Sequence, residues 1–206
     1  MNEPLIFGLI VFVFVAAITP GPNNLMLMSS VMLFGFRRTL PHMFGVYFGF
    51  TFLLIAAILG FGELLIHVPA AGHVIKLTGS LWLCWLGFQF LKEAFRQHMA
   101  KSPQPANQHS RPFYFFEAVL FQWINPKALI MALSSAGLYV DIAEDLMTRL
   151  IMMVTIFTLV GMPCGIAWMI LGRGLTRWLG PAGHGRVINL IMALLIFGLV
   201  GMILMV

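Results

Sequence analysis

From Pro4 to Phe36 the chain runs without a charged residue, and five more apolar stretches follow it. The six cover roughly 5–36, 40–66, 72–91, 113–140, 148–171 and 187–206. Each reaches the roughly 20 residues that carry a helix across hydrocarbon. The pattern predicts an all-α membrane protein of six transmembrane helices. Two of the stretches are interrupted from within by polar and helix-breaking residues. The first carries Thr19-Pro20-Gly21-Pro22-Asn23-Asn24, the fourth Gln122 and Asn125-Pro126-Lys127.

Proline removes a backbone donor and clashes with the preceding turn, so neither interruption continues a straight helix. Pro20 lies 16 residues from Pro4 and 16 from Phe36, about 24 Å of helix on each side at 1.5 Å per residue. Pro126 lies 14 residues from Pro112 and 14 from Val140. Helices 1 and 4 are therefore predicted to break at mid-membrane. A freed backbone group there costs several kcal/mol unless protein or a watery cavity meets it. Both interruptions should border a cavity.

Thr and Asn are good N-caps and proline suits the first helical position, so Thr19-Pro20 and Asn125-Pro126 each read as the start of a half-helix. Such starts carry partial positive charge and unpaired N–H groups, which suit a carboxylate. The candidate substrate-binding residues are Thr19, Pro20, Gly21, Pro22, Asn23, Asn24, Gln122, Asn125, Pro126 and Lys127. A lysine at bilayer centre costs about 2.5–3.5 kcal/mol, so Lys127 must face a cavity or a partner. It reads as a counter-charge to an anionic group or as a proton carrier; the competing reading is a tether to carbonyls freed in helix 1. Glu117, nearer the cytoplasmic end, is a second proton-coupling candidate or else an interfacial carboxylate. Asn23, Asn24 and Gln122 supply neutral donors and acceptors.

Composition narrows the class. The chain is 60% hydrophobic and 9% charged, with a mean hydropathy of +0.95, against about 25% charged residues in soluble domains. Of its twelve basic residues, nine (Arg37, Arg38, Lys92, Arg96, Lys101, Arg111, Arg173, Arg177 and Arg186) fall on one side of an alternating path. The positive-inside rule places that side in the cytoplasm and both termini outside. The net charge of +5 thus reports topology and calls for no nucleic-acid partner. The first helix should be retained, because no basic residue precedes Arg37. Cys84 and Cys164 read as small apolar residues. The histidines (42, 67, 73, 98, 109 and 184) lie at predicted helix ends or loops without ligand spacing, so no metal and no cofactor is expected. Trp82, Trp85 and Trp178 read as interface anchors or packing.

The polar tract Gln97–Ser110 reads as a linker dividing one transport domain, 1–206, into repeats of about 1–96 and 112–206, with a cytoplasmic loop at about 97–111. Thr19-Pro20 with Ser29-Ser30 recurs as Asn125-Pro126 with Ser134-Ser135, at an offset of 105 or 106 residues. Gly45 and Gly49 recur as Gly161 and Gly165, spacings that let helices pack closely. Three spans reverse orientation, so the predicted repeats are inverted, a transporter architecture.

Pro20-Gly21-Pro22-Asn23-Asn24, Gly35-x-Arg37, Gly45-x-x-x-Gly49 and Phe121-Gln122-x-x-Asn125-Pro126-Lys127-Ala128 resemble the LysE/RhtB family of bacterial amino-acid exporters. The motifs come closest to its cysteine/O-acetylserine branch. The resemblance implies proton-driven antiport in the bacterial inner membrane, moving small amino acids or their derivatives out of the cytoplasm. It leaves a homo-oligomer open and implies no enzyme. The alternative from another class is a metal-ion exporter or a membrane redox carrier of related architecture. Either should place Asp, Glu or Cys at the breaks, where this chain has Asn, Gln and Lys. An exporter of lysine or arginine would want a buried carboxylate there as well, so the expected cargo is a zwitterion with a small neutral side chain.

Overall fold

The computed structural model describes residues 3–61, 67, 69–99, 111–179 and 184–205. Among them are eight α-helices and no strand. The first apolar stretch forms two helices, α1 (Glu3–Ile18) and α2 (Pro22–Phe34), bent by 49° across the proline-rich turn. Gly21 is the N-cap of α2 in extended backbone, and Pro22 takes the first helical position. This corrects the expected start at Thr19-Pro20: the hydroxyl of Thr19 turns back to the Ala16 carbonyl (3.0 Å) and caps nothing ahead of it.

At Gly35 the backbone enters φ 85°, a conformation that favours glycine, and α3 (Phe36–Ala56) begins directly after it. A π-helical turn, Ala57–Phe61, extends α3 until Gly60, at φ 109°, stops it. Next comes α4 (Pro69–Met99). The fourth stretch is again split, into α5 (Phe115–Phe121) and α6 (Pro126–Leu138), followed by a 3-10 turn at Val140–Ile142. Two long helices, α7 (Leu146–Leu179) and α8 (His184–Met205), close the chain. By length and composition, Phe36–Gly60 and Leu146–Thr176 can cross a membrane, and the bent α1–α2 pair makes a third such span. Of the expected polar linker, Gln97–Met99 end α4. Residues 100–110 lie outside the described residues, as do Asn2, Gly62 and Glu63.

The surface is that of a protein in lipid. Phe7, Phe48, Phe88, Phe116, Leu120 and Leu194 are among the exposed large apolar side chains, far more than a soluble monomer presents in contiguous patches. The exception is α2, where Leu25 to Val31 are buried without interruption and therefore on every face. It is surrounded by α3, α7 and α8. Its counterpart α6 keeps Ile130 and Leu138 exposed.

The packing has a two-fold character. α1 lies on α7 as α5 lies on α3, α2 lies on α7 as α6 lies on α3, and α4 pairs with α8. Glycine makes the α3–α5 contact close: Gly45 faces the Phe115 carbonyl, and a Cβ on Gly49 would sit 2.7 Å from Val119 Cα. On the α3–α7 side, Gly161 and Gly165 accommodate Tyr47. The Tyr47 hydroxyl donates to the Gly161 carbonyl at 2.9 Å.

Candidate functional site

A helix end leaves four carbonyls without intrahelical partners. At the end of α1, five consecutive carbonyls are met, almost entirely by side chains. The Ala16 carbonyl takes the Thr19 hydroxyl, and that of Ile18 takes Trp168 Nε1 from α7 (3.0 Å). Asn24 Nδ2 reaches back to the carbonyls of Ala17 (2.7 Å) and Thr19 (2.9 Å). Lys127 Nζ, from the first turn of α6, donates to the carbonyls of Thr19 (2.8 Å) and Pro20 (3.2 Å) and to Thr19 Oγ1 (3.0 Å). The ammonium thus sits at the negative end of the α1 dipole. In this conformation Lys127 makes the tether contact that competed with its substrate-binding reading.

The second interruption begins with a tightened turn of its own backbone. Successive backbone bonds from Gln122, Trp123 and Ile124 to the carbonyls three residues earlier tighten the end of α5. Asn125 is the N-cap of α6, its side chain accepting from Lys127 N (3.2 Å), and Pro126 is the first helical residue. Gln122 and Asn125 are buried, whereas Thr19 and Pro20 are exposed; Gly21 and Pro22 lead back into the interior.

The two interruptions are joined twice. Asn23 Nδ2 donates to Gln122 Oε1 (2.7 Å) and Gln122 Nε2 to Asn23 Oδ1 (3.1 Å), a reciprocal amide pair. The second link is Lys127 to Thr19. With the helix starts Pro22 and Pro126 aligned, Asn23 matches Lys127. Each is the second residue of its half-helix, and each reaches the residue just past the end of the opposite one, Gln122 or Thr19. The two helix starts, Pro22 and Pro126, are 104 residues apart.

Between the interruptions lies a cavity of about 70 Å³, room for several waters. Gly21, Asn23, Asn24, Asn125 and Lys127 line its polar side; Tyr47, Phe50, Met131 and Phe157 are among its larger walls. Among the described residues, Lys127 is its only charged lining residue. Tyr47 and Trp168 escaped the sequence reading. Their signal is generic: a phenol or indole inside an apolar stretch needs a polar partner.

Glu117 lies elsewhere. It forms the capping box of α5 with Tyr114 and a bidentate pair with Arg111 (2.7 Å to each oxygen), and its side chain is 40% exposed. The hydrogen bonds to Glu117 raise the Arg111 guanidinium above its ordinary range, and the guanidinium stacks on the Tyr114 ring at 3.7 Å. His42, expected at a helix end or in a loop, is buried in the second turn of α3 beside the Phe113 ring. Among the described residues, neither of its ring nitrogens has a hydrogen-bond partner. Both described cysteines are free thiols.

Residues 14–206 match the LysE type translocator family. The chain belongs to the LysE family. Cysteine/O-acetylserine efflux proteins of Escherichia coli (strain K12) and Shigella sonnei (strain Ss046) are each 24% identical to it over 198 residues, 95% of either chain. No solved structure matches. LysE membership puts the chain among translocators and leaves the metal-exporter and redox-carrier alternatives without support.

Proposed function

We propose that this LysE-family protein exports small neutral amino acids or their derivatives from the cytoplasm across the bacterial inner membrane, coupled to protons. Its working unit is six spans in two inverted repeats with both termini outside. The observation that carries the reading is the Lys127 ammonium held on the carbonyls of Thr19 and Pro20, at the edge of a cavity with no other charge among the described residues.

Those contacts define what a zwitterion can exchange for. An α-ammonium can take the carbonyls at the negative end of α1, and the released Lys127 can meet the α-carboxylate. The first-turn N–H groups of α2 can meet that carboxylate too. A free cation would compete for the carbonyls but leave Lys127 without an anion. A free anion would leave the carbonyls bare. The substrate therefore carries both charges. Tyr47, Phe50 and Phe157 leave room only for a small side chain, and no carboxylate is present to match a cationic one. Of the two proton-coupling candidates, Lys127 is the one that lines the cavity. The paired packing of α1 with α7 and α5 with α3 supports inverted repeats, whose halves part alternately on each side.

The test is efflux from cells loaded with radiolabelled cysteine, O-acetylserine, threonine or lysine. Export of the neutral compounds, lost in Lys127→Ala protein that still inserts, is the expected result. Export of lysine alone overturns the substrate class, and full activity of Lys127→Ala reduces the lysine to a tether. Lys127→Arg separates charge from proton transfer, because arginine does not deprotonate. Retained but pH-independent export assigns the coupling proton to Lys127.

A further inference from the structure

Where the α2–α3 junction meets α7, a second cavity of about 620 Å³ opens. Three arginines line it: Arg37 and Arg38 from the first turn of α3, and Arg173 from α7. All three are exposed, and none forms an ion pair or a side-chain hydrogen bond among the described residues. The chain has no acidic residue between Pro4 and Gly62 or between Leu146 and Val206, so α2, α3, α7 and α8 carry none. The start of α3 adds to the positive field: its N-cap, Gly35, offers no side chain to the free N–H groups of the first turn.

Apart from Thr176 and the backbone of Gly35, the rest of the wall is apolar: Val31, Met32, Phe34 and Phe36. An anion with a hydrocarbon tail matches both parts. A zwitterionic cargo brings one carboxylate and has no use for three cations beside an apolar wall. By the positive-inside rule this end faces the cytoplasm, where anionic lipids meet juxtamembrane arginines. Guanidinium groups bind phosphate oxygens in bidentate fashion. We propose that the cavity formed by Arg37, Arg38 and Arg173 binds the phosphate headgroup of an anionic phospholipid, with an acyl chain along Met32, Phe34 and Phe36. The site stands apart from the Lys127 cavity and does not depend on what is transported.

The test uses the full chain in neutral detergent, reading its melting midpoint against added phosphatidylglycerol, phosphatidylcholine, glycerol 3-phosphate and inorganic phosphate. Phosphatidylglycerol should raise the midpoint and phosphatidylcholine should not. Apparent affinity should weaken about fivefold for each arginine changed to glutamine. Arg173→Gln is the single reading, Arg37→Gln/Arg38→Gln/Arg173→Gln the full one, and Lys92→Gln, an exposed basic residue on α4, should leave the response intact. Should the triple variant fail to fold, Arg173→Gln and the wild-type contrast between lipids still decide. Equal responses to the two lipids, or a phosphatidylglycerol response that survives loss of the arginines, overturn the site. An equal response to glycerol 3-phosphate or inorganic phosphate at matched concentration overturns the lipid assignment and makes it a free-phosphate site.

Discussion

At the first break the chain turns on two prolines and leaves five carbonyls to side chains, three of them reached by Lys127 and Trp168 from distant helices. At the second, three short-range backbone bonds tighten the end of α5, and Gln122 and Asn125 are buried. The first break is open, and α6, α7 and α2 itself supply what it lacks. The second is sealed and lends its lysine outward. A self-satisfied backbone can hold a charged side chain in place. A backbone dependent on partners can release them, and under the proposed function that suits the first break to change on binding. The surroundings run the other way, since α2 behind the open break is wrapped on all faces while α6 behind the sealed one reaches the surface.

The largest test of this contrast is Lys127→Ala, which should reduce efflux to background. Folding should suffer by only about 1–2 kcal/mol, the lower end for a charged hydrogen bond, because Thr19 and Pro20 are exposed. Efflux assays beside denaturation in detergent separate the two effects. If stability collapses instead, the first break cannot release its lysine and the contrast fails.

Next comes Gly49→Ala, which pushes a methyl against the backbone of Val119 beside the sealed break. Overpacking of this kind costs about 1–3 kcal/mol. Gly165→Ala meets only the end of the Tyr47 side chain, so its melting midpoint should fall less.

The amide bridge gives a sharper measurement. Gln122→Leu strands Asn23 and should cost about 1–3 kcal/mol, whereas Asn23→Leu/Gln122→Leu should cost less than the two single changes combined. Additive losses would mean that the breaks are not coupled through this pair.

The smallest effects compare single caps. Trp168→Phe uncovers the Ile18 carbonyl and should cost about 1 kcal/mol. Asn125→Ala removes the α6 cap at a similar cost of about 1 kcal/mol. The two should part in transport: the first change frees one carbonyl of the first break, while the second also turns loose the base of Lys127 and should reduce efflux more. Equal transport losses would erase the distinction.

Helicity, membrane residence and both break positions were legible because each follows from local physics. A charge-free stretch cannot be soluble, and proline interrupts a helix wherever it stands. Asn125-Pro126 was legible down to the cap, since the cap bond spans two residues. Thr19-Pro20 was not. Two prolines offered two starts for α2, and the one used leaves the carbonyls of Thr19 and Pro20 facing Lys127, 107 residues and more away. Local rules contain no term for such a partner. Lys127 could be read as charged, central and in need of company, but whether its partner was substrate or backbone depended on how α1 and α6 meet. His42 likewise read as a helix-end residue, and its burial follows from Phe113 closing over it. The pairing of Asn23 with Gln122, the reach of Trp168 to Ile18 and the gathering of Arg37 with Arg173 belong to the tertiary structure alone. Periodicity and proline chemistry act over a few residues, whereas these contacts join segments some 100 residues or more apart through helix packing.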